Sequence, residues 1–402
     1  MRNRMGLWLV ILALTITGCL CANDDAMRQW ADGNNRFGAD FYQQLAQAKP
    51  GENLCFSPIS AYLAFAMLYP GATGRTRDEI ADVLHFDLPE PQLHEVSQEV
   101  ARRYAETDTT LGVIELANSL WLQQGFPIEE AFTATLKRYY QAQCESCDFA
   151  NNPEGERKRI NAWGSEKTHG RIPEAVPFGA IDPNTRLVLA NATYLKQKWL
   201  HPFEKGSTHD ADFHLAGGTV QTPTMHDEFT VCYKETADYQ SIELPYQDER
   251  FSMILVLPRE GEDIDRFTMK MLDGGISSCF PDENTRENTR IALPKFEFHS
   301  GAGMTDILKK LGMRSAFTFC GGFLGISSED MCVSDVIQST FIKVDEEGTE
   351  AAAFTVIAMI LMCAPPQPFK VFTADHPFLY FLRDNDTGCI LFMGRVMDPT
   401  KK

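Results

Sequence analysis

Residues 345–366 read Asp-Glu-Glu-Gly-Thr-Glu-Ala-Ala-Ala-Phe-Thr-Val-Ile-Ala-Met-Ile-Leu-Met-Cys-Ala-Pro-Pro. Three acids (Asp345, Glu346, Glu347) and Gly348 lead into an apolar run that stops at Pro365. From Ala351 to Ala364 there is no charge, and the one hydroxyl is that of Thr355. The run is too short to span a bilayer, which takes about 20 apolar residues. Two conformations are open to it. Alanine, methionine and leucine favour a buried helix ending before Pro365. As a strand, Thr349, Ala351, Ala353, Thr355, Ile357, Met359 and Leu361 would share one face. Glu350, Ala352, Phe354, Val356, Ala358, Ile360 and Met362 would share the other. The first face begins small and becomes fully apolar, which suits a strand that slides between two others. Gly348 would hinge its entrance without a Cβ penalty.

Further motifs surround this stretch. Downstream lie Ala374-Asp375-His376-Pro377-Phe378 and Phe392-Met393-Gly394-Arg395-Val396; upstream, Val333 to Val344 reads as a strand feeding the run. With Glu346-Glu347-Gly348-Thr349-Glu350-Ala351-Ala352-Ala353 and Thr355, these motifs resemble the reactive-loop hinge and C-terminal signature of the serpins. The resemblance continues through Asn53 to Ser60, Asn161-x-Trp163, Asn191-Ala192-Thr193-Tyr194, Trp199, Thr222 to His226 and Leu308 to Met313. It covers roughly 37–399.

The resemblance implies an α+β serpin fold: eight or nine helices around three β-sheets, with an exposed reactive-centre loop at about 346–368. Ser57, Ser60 and Asn191 match the family's shutter, a polar cluster beneath the main sheet. Gln338 stands where the family usually carries histidine; it keeps donor and acceptor but does not titrate near neutrality. Trp199 matches the breach, where insertion begins. Read without the family, Ser57 is equally a helix cap before Pro58, and Trp199 a core aromatic. Counted from Glu346 with the family's spacing, the scissile bond falls between Met362 and Cys363. Met362 is unbranched and apolar, suited to elastase- or chymotrypsin-like primary pockets and not to a trypsin-like one with a buried acid. The implied mechanism is a suicide substrate: the protease acylates at Met362, the loop enters the main sheet, and the target serine protease stays covalently held. Phe354 departs from the small residues the family carries there, and is expected to slow insertion. Two further readings stay open: a non-inhibitory carrier or chaperone, and a cross-class inhibitor of cysteine proteases suggested by Cys363.

The chain begins with Arg2 and Arg4 before a short apolar segment, Leu7 to Leu14, as in an export signal. Ile16-Thr17-Gly18-Cys19 resembles a bacterial lipobox with Cys19 as lipid acceptor; an ordinary signal cut near Ala22 is the alternative. The expected organisation is a signal at 1–18 and one serpin domain at 19–402, exported, periplasmic or extracellular, monomeric, and touching membrane only through that anchor. No linker or repeat divides the rest. The net charge of −18 argues against nucleic-acid and polyanion binding. In the expected helix Leu93 to Tyr104 only Arg102 and Arg103 are basic, against Glu95 and Glu99, so no glycosaminoglycan partner is expected. Eleven cysteines include Cys144-x-x-Cys147, without a second pair that would complete a zinc site, so neither metal nor cofactor is expected. No nucleophile elbow, metalloprotease helix or phosphate loop is present, so no catalytic residues are assigned.

Overall fold

The computed structural model describes residues 3–105, 110–140, 144–349 and 369–402. Glu350, Ala351, Ala352, Ala353, Met362 and Cys363 lie outside the described residues, as does the loop that carries them. Nine α-helices fall among the described residues: α1 (Asn3–Ala48), α2 (Pro58–Leu68), α3 (Gly74–Leu84), α4 (Glu90–Ala105), α5 (Glu130–Thr135), α6 (Pro153–Lys167), α7 (Ile264–Asp273), α8 (Thr305–Leu311) and α9 (Ser315–Thr318). The strands are β1 (Leu54–Phe56), β2 (Gly112–Gln123), β3 (Cys144–Cys147), β4 (Leu187–Lys198), β5 (His209–Leu215), β6 (Gly218–Glu235), β7 (Tyr239–Pro245) and β8 (Phe251–Pro258). They continue with β9 (Arg286–Pro294), β10 (Phe296–Gly303), β11 (Asp335–Asp345), β12 (Gly348–Thr349), β13 (Lys370–Thr373), β14 (Phe378–Asp384) and β15 (Ile390–Val396).

Two sheets result. One has six strands in the order β10-β11-β12-β4-β2-β3; the other has nine, ordered β1-β15-β14-β8-β7-β6-β9-β13 with β5 on β6. The third sheet expected from the resemblance is continuous with the second. The 18-residue strand β6 pairs with β7 at one end and with β5 at the other, and β9 follows it across both layers.

The pattern of side chains explains the layers. Strands β8 and β15 are buried along their whole length, as central strands covered on both faces must be. Helix α2 is apolar all round and fully buried, the signature of a helix inside a core rather than on its surface. Pro58 opens it at a position where the missing N–H is no loss. Ser57 does occupy the N-cap position, but its hydroxyl donates to Leu391 O at 2.8 Å instead of capping the helix. Helix α6 is capped by Asn152, whose side chain accepts from Gly155 N; acids fill its first turn and Lys167 its last.

Strand β11 alternates: Val336, Gln338, Thr340, Ile342 and Val344 are buried, and the residues between them are half-buried. Its buried face joins a core that runs from Ala26 to Val396. Its other face, with Val188 and Ala190 of β4, lies under α6 in a smaller cluster that includes Trp121, Ile160 and Val176. The six-stranded sheet is therefore covered on both sides. Among the described residues Cys55, Cys147, Cys232, Cys279 and Cys389 are buried thiols outside any disulfide. Burial pushes the Cys55 thiol up to about 11 and that of Cys147 up to about 12, so both stay protonated and behave as small apolar residues.

Candidate functional site

The site is the line along which β4 and β11 separate. The two strands run parallel and pair directly over Val188–Ala192 and Asp335–Ser339. At the far end β12 sits between them, antiparallel to both: Thr349 lies opposite Val344 and Gln197, and Gly348 opposite Asp345 and Lys198. Among the described residues, no ladder joins 340–343 to 193–196 along the edges that face each other. Strand edges of this kind carry backbone donors and acceptors that a further strand would satisfy. Two buried side chains of β4 share the condition: Thr193 Oγ1 and both amide atoms of Gln197 lack hydrogen-bond partners among the described residues.

The turn into β12 is held from several sides. Gly348 has φ +151°, and a Cβ there would come within 2.1 Å of Gln197 O, so only glycine brings the chain this close to β4. Thr349 is buried and shares a 2.7 Å hydrogen bond with the Tyr246 hydroxyl. Tyr246 stacks on Trp199 with ring centroids 4.7 Å apart and planes 4° from parallel. Trp199 donates its indole N–H to Asp345 O at 3.0 Å and its backbone N–H to Glu347 O at 2.9 Å. Lys295 bridges to Glu346 at 2.8 Å, and the Thr208 hydroxyl donates to the same carboxylate at 2.9 Å. Burial raises the pKa of Glu346, but Lys295, the residue's own backbone N–H and Thr208 outweigh it and hold the carboxyl below the usual range. The hydrogen bond to Glu347 raises the pKa of Lys205.

Where the two strands still touch, a second polar cluster joins them. Ser57 N donates to Gln338 Oε1 at 2.9 Å, and Gln338 Nε2 donates to Ser57 O and Asn191 Oδ1, each at 2.9 Å. Asn191 Nδ2 in turn donates to Ser60 O at 2.9 Å and to Asn118 Oδ1 at 2.8 Å. The structure therefore brings Ser57, Ser60, Asn191 and Gln338 together, with Ser60 contributing its carbonyl while its hydroxyl lacks a partner among the described residues. Glu346 to Thr349 gather at Trp199. Cys19 lies within α1, distant in sequence from both clusters. Among the described residues no group of three or more His, Cys, Asp or Glu is placed to hold a metal. Sequence reasoning missed Asn118, Thr208 and Tyr246. Asn118 had one usable signal, an amide beside Ser119 in the middle of a largely apolar strand; Tyr246 and Thr208 had none.

Helices packed around two sheets, one holding a two-residue strand wedged between parallel neighbours, define an α+β protein with a strand position only partly filled. The family model described as Serpin (serine protease inhibitor) matches residues 32–399. An uncharacterized serpin-like protein of Thermococcus kodakarensis is 37% identical over 369 residues, 91% of this chain and 84% of that one. Leukocyte elastase inhibitor of Bos taurus is 33% identical, covering 93% of this chain and all of its own. The crystal structure of Serpin48 from Tenebrio molitor aligns with a TM-score of 0.81 at 32% identity, covering 92% of this chain and 97% of that one. The chain belongs to the serpin family, whose members are generally protease inhibitors that form complexes with their target proteases.

Proposed function

We propose that this chain inhibits serine proteases of elastase- or chymotrypsin-like specificity as a suicide substrate cut between Met362 and Cys363. The observation that carries the reading is β12: the first two residues of the incoming strand already occupy their register between β4 and β11. Beyond them, among the described residues, no strand lies between the facing edges. Continuing the strand supplies that partner and buries Ile357, Met359 and Leu361, each worth roughly 1.5–3 kcal/mol before entropy. At roughly 3.3 Å per residue, the end acylated at Met362 travels on the order of 45 Å from Thr349. A protease carried that far across the molecule is pulled against it before water hydrolyses the acyl bond. The primary-site methionine and the name of the bovine relative, leukocyte elastase inhibitor, both support an apolar target pocket.

The test is incubation with elastase-, chymotrypsin- and trypsin-like proteases, followed by denaturing electrophoresis and mass determination of the released peptide. The expected result is a covalent adduct with the first two classes and a new N-terminus at Cys363. Cleavage with no adduct in any class would remove the inhibitory reading.

A further inference from the structure

The register of β12 fixes where each later residue of an inserted strand would lie. On the core face, residue 351 falls between Ile342 and Leu195, 353 between Thr340 and Thr193, and 355 between Gln338 and Asn191. The direct pairing of β4 with β11 agrees, because it sets Gln338 level with Asn191 and Ser339 level with Ala192. On the opposite face, under α6, residue 352 falls between Phe341 and Tyr194, and 354 between Ser339 and Ala192.

Size alternates across that face. Two large rings flank position 352, where the chain has alanine. Two small side chains flank position 354, where it has phenylalanine. Directly above, Trp163 and Gly164 of α6 line a cavity with Ala192 and Ser339. A Cβ built on Gly164 meets nothing within 4 Å. The cavity now measures only about 10 Å³, room for a water and not for a ring. It must widen when β4 and β11 part, since a strand between them adds a spacing of about 4.8 Å.

We propose that α6 and the parted strands form an acceptor site for the Phe354 ring, with Gly164 as its roof and Ser339 and Ala192 as its walls. The proposal rests on the insertion reading above and reverses the expectation that Phe354 impedes insertion. The bulky residue is the complement of a gap this chain leaves for it. Phe354 then locks the inserted form.

The experiment compares the full chain with Phe354→Ala, Gly164→Leu and the double variant, before and after cutting with a loop-cleaving protease. Melting temperature, tryptophan emission and size on gel filtration are read for each. Intact Phe354→Ala should melt with wild type, while its cleaved form melts several degrees lower. Gly164→Leu should lower the cleaved form in the same way, and less so when Phe354 is already alanine, because the leucine then fills the vacated space. The emission change on cleavage, reported by Trp163, should shrink in Phe354→Ala. A cleaved Phe354→Ala form that matches wild type in both melting and emission overturns the acceptor site. So does a stabilised wild-type product that is oligomeric, since the gap would then hold another copy's loop. A cleaved wild type with no gain in melting temperature overturns insertion itself, and the acceptor role with it.

Discussion

Gln338 ties β11 to the N-cap of α2 through Ser57 and to β4 through Asn191, and both ends of its amide are used. Gln338→Ala leaves Ser57 N–H and Asn191 Oδ1 buried without this partner, at a cost of about 1–3 kcal/mol each. The intact form should unfold at a lower urea midpoint with an unchanged slope, which equilibrium denaturation measures. Glu346 carries a pH dependence whose sign follows from its lowered pKa. Its stabilising contribution is present above the ordinary glutamate pKa and is lost as pH falls through the folded value. Protection factors for hydrogen exchange at residues 346–349, taken against the intrinsic rate at each pH, should fall on acidification, and Glu346→Gln should abolish that fall while lowering protection at neutral pH. Of these residues, Gln338, Asn191 and Glu346 stood out in the sequence because each sits in a stretch that resembles the serpins. Tyr246 and Thr208 did not, because their partners Thr349 and Glu346 lie more than a hundred residues away and no local spacing encodes such a meeting.

At the scale of elements, β12 decides the behaviour of everything that follows it. Each inserted residue needs its backbone N–H or C=O for the ladder, and proline removes a donor. Ala353→Pro should therefore halt the strand beside Thr193 and Thr340 and turn the inhibitor into a substrate: denaturing gels should show cleaved protein in place of the covalent adduct. The helix expected over Leu93 to Tyr104 is found at Glu90–Ala105. The feeding strand, expected over Val333 to Val344, is found at Asp335–Asp345. Strand β6 was the hard case. Its burial follows no single alternation, because its partner changes from β5 to β7 along its length, and a period-two search expects one face throughout. The same strand merges the second and third sheets, so the sheet count was the part of the architecture that pattern could not supply.

At the scale of the whole molecule, facing strand edges and buried polar atoms of Thr193 and Gln197 lack partners among the described residues. Supplying the missing strand from within should stabilise the fold, so the loop-cleaved protein is expected to melt far above the intact one in a scanning calorimeter. Another property follows from how the nine-stranded sheet is wired. Strand β1, near the start of the chain, is hydrogen-bonded to β15, near its end, with Leu54 opposite Arg395. A nascent polypeptide cannot close that pair until β15 has been made, and contacts so remote in sequence form slowly. Until then α1 and α2 lack the strand they share as a packing surface.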